Sequence, residues 1–190
     1  RDVGGLGQTE FPDACALQHS DAAEAPLFTM GDPEHRVNIW HWKALWSEDA
    51  IAFQDVDSLW PNAVADGYFG QENGWKAGPL DDTTFAPAAE VGNSVARQDR
   101  RSPVEDNNAA RFGSLTTQPA EDQNVDGSSV HGTALWSVQF ERDLRSQSVR
   151  DVQFRAGGRT FVAFGVWNGS IGDRDGQKSI SVWNTLEIDP

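Results

Sequence analysis

The sequence predicts an all-β chain, an antiparallel β-sandwich with long irregular loops, and three observations carry that prediction. Helical periodicity is nearly absent, whereas several stretches alternate, or run apolar, at strand length. The 18 glycines and 9 prolines punctuate those stretches at turn-like positions. Apolar residues make up 38% of the 190, with eight tryptophans, which is enough for one real core and unlike a disordered chain. No internal repeat or composition break divides the chain, so residues 1–190 are expected to form a single domain.

The elements follow in order. Ala14–Gln18 reads as a short strand. Val37–Trp46 alternates, with Val37, Ile39 and His41 on one side and Trp40 and Trp42 on the other. The best helix candidate, Trp46–Val56, is short and equally readable as loop. From Ser47 to His131 the periodicity is weak, and a region this long inside a compact domain points to function. Its scattered aromatics, Trp60, Tyr68, Phe69, Trp75, Phe85 and Phe112, suit the wrapping of a cofactor. Thr133–Leu144 alternates again. After the turn Arg155-Ala156-Gly157-Gly158, Thr160–Trp167 is a nearly continuous apolar run, as in a central strand covered on both faces. A loop from Asn168-Gly169-Ser170 through Asp175-Gly176 leads into Lys178–Ile188, and the three C-terminal strands are expected to form an antiparallel meander.

Charge excludes some functions. The net charge of −14 argues against nucleic acid and against anionic lipid surfaces. Only three lysines, Lys43, Lys76 and Lys178, stand beside twelve arginines. Abundant acid with scarce lysine is expected of a halophilic source, where salt screens carboxylate repulsion. Cys15 is alone, so an internal disulfide and a Cys-based zinc or iron–sulfur site are excluded. No Cys-x-x-Cys-His occurs, which excludes covalent c-type haem. No apolar run approaches the ~18 residues of a membrane span. No signal peptide is visible, and the chain opens on Arg1-Asp2-Val3-Gly4-Gly5 without Met, as a mature, processed or truncated protein would.

Met30, the only methionine, lies in Pro26-Leu27-Phe28-Thr29-Met30-Gly31-Asp32, just before a long strand. A thioether is a soft, neutral ligand that suits haem iron and raises its potential. Taken alone, a single methionine is ordinary core filler. The histidines His19, His35, His41 and His131 form a rival ligand set; none pairs at helical metal-site spacing, and structural or surface roles are the simpler reading. Gly172-Asp173-Arg174-Asp175-Gly176 is too short for a calcium loop and reads as a turn. No nucleophile elbow, phosphate loop or Rossmann glycine triplet is present.

Three segments together carry a resemblance: Met30-Gly31-Asp32 through Val37-Asn38-Ile39-Trp40-His41-Trp42-Lys43; Ser102-Pro103-Val104-Glu105-Asp106 through Phe112-Gly113-Ser114 and on to Gln123; and Phe164-Gly165-Val166-Trp167 through Asp175-Gly176-Gln177-Lys178 to Trp183. They resemble the haem b-binding gamma subunits of the ethylbenzene dehydrogenase and dimethylsulfide dehydrogenase type. The resemblance spans about Phe11 to Ile188 and implies a β-sandwich enclosing one b-type haem. It implies a Met and a Lys on opposite sides of the iron, here Met30 and Lys178. Among the lysines Lys178 is preferred, Lys76 follows, and Lys43 is only 13 positions from Met30 in one strand. Trp40 and Trp42, with Trp167 and Trp183, fall in expected strands and pack a core, and the same residues are expected to offer the haem an apolar wall.

The resemblance further implies a non-catalytic electron-transfer subunit. Its partners would be an iron–sulfur beta subunit, a molybdenum-containing catalytic alpha subunit and an external redox carrier. The complex would sit peripherally on the periplasmic or extracytoplasmic face, and acidity suggests service to an oxyanion reductase such as a nitrate or chlorate enzyme. Family members carry further strands before Phe11, so part of the fold is expected to be missing. The alternative is a haem-free carbohydrate-binding β-sandwich with an exposed aromatic platform.

Overall fold

The structure, a computed structural model, describes residues 11–53, Asn62 and residues 100–190. Nine strands and one short helix follow in order: β1 (Ala14–Ser20), β2 (Val37–Lys43), α1 (Ala44–Asp49), β3 (Val104–Ala109), β4 (Thr116–Thr117), β5 (Asp126–His131), β6 (Trp136–Glu141), β7 (Arg159–Trp167), β8 (Ser179–Ile180) and β9 (Asn184–Glu187). Seven of them form one antiparallel sheet in the order β4-β3-β2-β1-β7-β8, with β9 also pairing with β7. The hairpin β5–β6 is the second layer. The fold is therefore an all-β sandwich, as the sequence predicts.

The two layers meet because β2 alternates. Trp40 and Trp42 turn toward the hairpin and join Val104, Val125, Val152 and Phe154 in one apolar core, with Trp136, Val138 and Phe140 supplied by β6. Trp42 is 1% exposed and lies 5.0 Å from Trp136, ring to ring. Its indole N–H donates to Ser47 Oγ at 2.9 Å, and that hydroxyl lies 3.0 Å from Ser129 Oγ of the hairpin. Cys15 and Leu17 of β1 pack on the same core. Ile39, Val37, Ala16 and Ala109 point to the sheet's other face and form a second, smaller cluster.

The structure departs from the expected elements at several places. Val37–Trp46 ends at Lys43, where Ala44 N–H donates to Asp13 O and the chain enters α1. That helix starts two residues before the expected Trp46 and ends at Asp49; the rest of the Trp46–Val56 expectation, beyond residue 53, lies outside the described residues. Thr133–Leu144 yields only Trp136–Glu141, because residues 132–135 make the hairpin turn closed by Gly132 N–H to Leu135 O at 2.8 Å. That strand pairs with β5 in the other layer, so the three C-terminal strands are not a meander.

Lys178–Ile188 is interrupted. The Ser181 hydroxyl accepts the Phe164 N–H at 2.9 Å in place of a carbonyl, which breaks the strand into β8 and β9. The run Thr160–Trp167 is covered on one face only along its second half. Phe164 (46% exposed) and Val166 (51%) share a face with Leu17 and Cys15, past the hairpin's cover.

The strand β3, Val-Glu-Asp-Asn-Asn-Ala, carries no apolar alternation but is buried throughout. Its polar groups are met by a network instead, except that Asp106 Oδ2 has no hydrogen-bond partner. Asp106 Oδ1 accepts from Asn38 Nδ2 and from Gln118 Nε2, and Gln118 Nε2 also donates to Asp151 Oδ1. Arg142 Nη1 lies 3.6 Å from Asp151 Oδ2, with its guanidinium carbon 5.0 Å from the Trp40 and Phe154 rings. Burial, and then the neighbouring Asp151, push the Asp106 carboxyl up to about 7.

No helix among the described residues is long and apolar enough to cross a membrane.

Candidate functional site

On the face of the large sheet turned away from the hairpin lies a cavity of about 630 Å³. That size is within the roughly 300–1,000 Å³ typical of sites for small molecules and cofactors. Its floor is set by side chains that alternate toward this face: Ala16 and Gln18 of β1, Ile39 and His41 of β2, Ala163 and Gly165 of β7. Directly paired positions keep the floor low, Ala16 against Gly165 and Gln18 against Ala163. A β-carbon added to Gly165 would lie 3.4 Å from the Trp167 ring and 3.7 Å from Lys178 Cδ. The centre of the sheet thus offers a flat apolar surface, and larger groups stand around it.

Met30 lines this cavity and packs on Ala16, Val37, Ile39 and Ala109. Its backbone is in the left-handed region, φ +78°, and Gly31 follows at φ +71°. Glycine is required at 31, since a β-carbon there would stand 2.5 Å from His35 O. The loop is closed by Asp32, whose Oδ1 accepts the Glu34 and His35 N–H groups, each at 2.9 Å. The Met30 N–H donates to Gln18 Oε1 at 2.9 Å.

Lys178 stands at another level of the sheet, beside Trp167 and Gly165. The turn at Asp175–Gly176, closed by Gln177 N–H to Arg174 O at 2.8 Å, delivers it there. One carbonyl, Asp175 O, accepts both the Trp167 indole N–H (3.0 Å) and Lys178 Nζ (3.2 Å). The Lys178 Nζ also lies 4.8 Å from the Trp167 ring centre. Burial lowers this amine's pKa below the ordinary lysine value, with Asp175 opposing the shift.

The other candidate residues are distributed as follows. Lys43 lines the same cavity but is bound to Glu105 in an ion pair and lies 4.0 Å over the Trp46 ring. Lys76, and the aromatics Trp60, Tyr68, Phe69, Trp75 and Phe85, lie outside the described residues. Phe112 lines the cavity mouth. Trp40 and Trp42 do not: they share the opposite face of β2, in the core under the hairpin. Trp40 and Trp42 therefore form no wall of this cavity, because Ile39 and His41 hold the cavity side of an alternating strand, whereas Trp167, also expected in the wall, does line it.

Among the histidines, His41 lines the cavity and stacks on Trp167 (centroids 4.7 Å apart, 26° between planes). Burial, and then the charge of Lys43, push it down to about 3, with Glu105 opposing and Lys178 adding, so the ring is neutral. His19 is buried on the hairpin side against Trp40 and Phe154. His35 pairs with Asp32 at 3.0 Å, and His131 packs edge-on to Trp136. Among the described residues no three His, Cys, Asp or Glu side chains converge as a metal site.

Two buried atoms of cavity-lining side chains have no hydrogen-bond partner: Gln18 Nε2 and His41 Nε2. Unpaired buried polar atoms are costly, and these two belong to residues of the cavity floor. Gln18 was not singled out from the sequence. The signal for the floor was present, in the small residues at alternate positions of two strands, Ala14-x-Ala16 and Ala163-x-Gly165.

The profile of the family described as ethylbenzene dehydrogenase matches residues 2–179. A protein of Haloferax mediterranei, provisionally named as a respiratory nitrate reductase heme subunit, is 33% identical over 75 residues. That match covers 40% of this chain and 27% of the relative's length. The chain belongs to the ethylbenzene dehydrogenase family.

Proposed function

Taking that membership as the premise, we propose that the chain is a non-catalytic electron-transfer subunit that holds one b-type haem in the cavity on the outer face of the large sheet. The observation that carries this reading is the convergence of Met30 and Lys178 on one cavity with a flat floor of Ala16, Ala163 and Gly165. A thioether and an amine are the donors, and the sheet between them accepts a flat apolar ring. The haem, when bound, supplies one-electron chemistry at iron. The chain supplies the rest. Met30 offers a soft sulfur that favours ferrous iron. Lys178 must be neutral to bind, and its partial burial favours that form.

The named relative supports the same assignment, since its name describes a heme subunit of a respiratory reductase. On this reading the partners are an iron–sulfur subunit and a molybdenum catalytic subunit, with an external carrier on the other side. The complex lies peripherally on the periplasmic or extracytoplasmic face. The net charge of −14 then reflects adaptation to salt, as does the halophilic relative, and a nitrate or related oxyanion reductase is the favoured complex. None of the six described tryptophans is exposed, so these residues present no tryptophan platform of the kind the carbohydrate-binding reading uses.

The test is the absorption spectrum of the protein purified after expression with haem supplied, followed by acid–acetone extraction. A Soret band with sharp reduced alpha and beta bands, and haem released into the acetone, is expected. A spectrum showing tryptophan alone, or haem that stays covalently attached, overturns the reading.

A further inference from the structure

We propose that Gln18 is a positioning residue that holds Met30 in its ligating conformation; this rests on the haem reading above. Three observations lead here. Met30 is one of two described non-glycine residues with positive φ, the other being Asp175. For a residue with a β-carbon that conformation is disfavoured by roughly 1–2 kcal/mol and persists only where surroundings impose it. The imposing contact is Gln18 Oε1, which accepts the Met30 N–H at 2.9 Å across twelve residues of sequence. Gln18 is itself immobilised. It is paired within β1, opposite Ile39 on one side and Ala163 on the other, and is 6% exposed.

The chemistry follows from that geometry. The Met30 side chain lines the cavity while its backbone N–H is fixed to the sheet floor. The amide of Gln18 therefore ties the loop bearing the sulfur to the same strand that forms the floor. A ligand held this way keeps its sulfur in place in both oxidation states, with no loop rearrangement between them. Without the tether, Met30 would be free to relax toward an ordinary φ value, and the sulfur would leave the cavity.

Two substitutions separate the tether from the packing. Gln18→Leu keeps the side-chain bulk and removes the acceptor. Gln18→Glu keeps an acceptor at the same reach. The readouts are the ferric spin state by absorption and electron paramagnetic resonance, the midpoint potential, and the haem-free melting temperature, all on the full chain. Met30→Ala serves as the reference for a lost thioether. Gln18→Leu is expected to move the ferric spectrum toward high spin and to lower the potential in the same direction as Met30→Ala. Gln18→Glu is expected to keep the low-spin spectrum.

A Gln18→Leu protein with wild-type spin state and potential overturns the proposal. So does a loss of the low-spin spectrum in Gln18→Glu equal to that in Gln18→Leu, since the acceptor would then not be what matters. If Gln18→Leu does not fold, Gln18→Met provides the same loss of acceptor with a more adaptable side chain, and the same two outcomes decide. Failure of the underlying reading looks different: wild-type protein without a Soret band, or Met30→Ala with an unchanged haem spectrum. Either result removes the haem ligand that Gln18 is argued to place.

Discussion

Gly165 gives the most direct handle on the cavity. It lies on β7 opposite Ala16, and an added β-carbon would meet Trp167 at 3.4 Å and Lys178 Cδ at 3.7 Å. Those are ordinary van der Waals distances, so Gly165→Ala is accommodated and haem affinity should stay within about threefold of wild type, under about 1 kcal/mol. Gly165→Leu has no such room once a haem lies on the floor. Its branches must enter the cavity floor or displace Trp167 and Lys178. Overpacking of this kind costs about 1–3 kcal/mol, which at 1.4 kcal/mol per decade lowers haem affinity about five- to 150-fold. In the haem-free protein the added side chain fills empty space, so its melting temperature should not fall in step. The assay is titration of haem-free protein with haem, followed at the Soret band, beside a thermal melt of the same samples. Wild-type affinity in Gly165→Leu would refute the placement of the haem on this face.

Three further outcomes follow from other parts of the molecule. Trp42→Ala removes a side chain buried on the hairpin side, so it should cost about 3–5 kcal/mol and lower the melting temperature by roughly 6–20 °C. The spectrum per bound haem should be unchanged, since that tryptophan lies on the face opposite the cavity. Asp106, raised from 3.8 to about 7 by burial, retains a proton in the folded chain that the unfolded chain releases. Its contribution to stability is therefore full below about pH 4, declines by at most about 1.4 kcal/mol per pH unit as pH rises, and levels off above about 7. Urea unfolding at several pH values should show the wild-type minus Asp106→Asn difference falling over that window; a flat difference would count against a protonated Asp106. Co-purification from the native host should recover iron–sulfur and molybdenum subunits with this chain, and recovery as a lone monomer would contradict the proposed complex.

Much of the sandwich was legible because β2 faces two different apolar environments. The alternation of Ile39 and His41 with Trp40 and Trp42 sends each set to its own face, and sequence periodicity reports that directly. The strand β3 was not legible. Asp106, Asn107 and Asn108 are buried through a hydrogen-bond network whose partners, Asn38, Gln118 and Asp151, are distant in sequence. The pairing of β6 with β5, and not with β7, was hidden for a related reason: Asp126–His131 is mostly polar and exposed at alternate positions.

The sequence marked residues at the rim of the cavity and little of its floor. Met30 and Lys178 stood out by residue type and context, and the fold brings both to one cavity. Of the tryptophans expected in the wall, Trp167 lines the cavity, while Trp40 and Trp42 lie on the other face. A flat ring on a sheet needs short side chains such as Ala16, Ala163 and Gly165, which carry little signal individually. Gln18 escaped notice because its role depends on a contact with a loop twelve residues away.

The central claim is that Met30 and Lys178 bind the haem iron from this cavity. The measurement that tests it most directly is the ferric spin state and midpoint potential of Met30→Ala and Lys178→Ala, with Lys43→Ala and Lys76→Ala as controls. The account predicts a six-coordinate, low-spin wild type, a high-spin shift in Lys178→Ala, a lowered potential in Met30→Ala, and unchanged spectra in both controls. A high-spin shift in Lys76→Ala with none in Lys178→Ala would contradict the lysine assignment. A shift confined to His41→Ala or His131→Ala would contradict the ligand pair altogether.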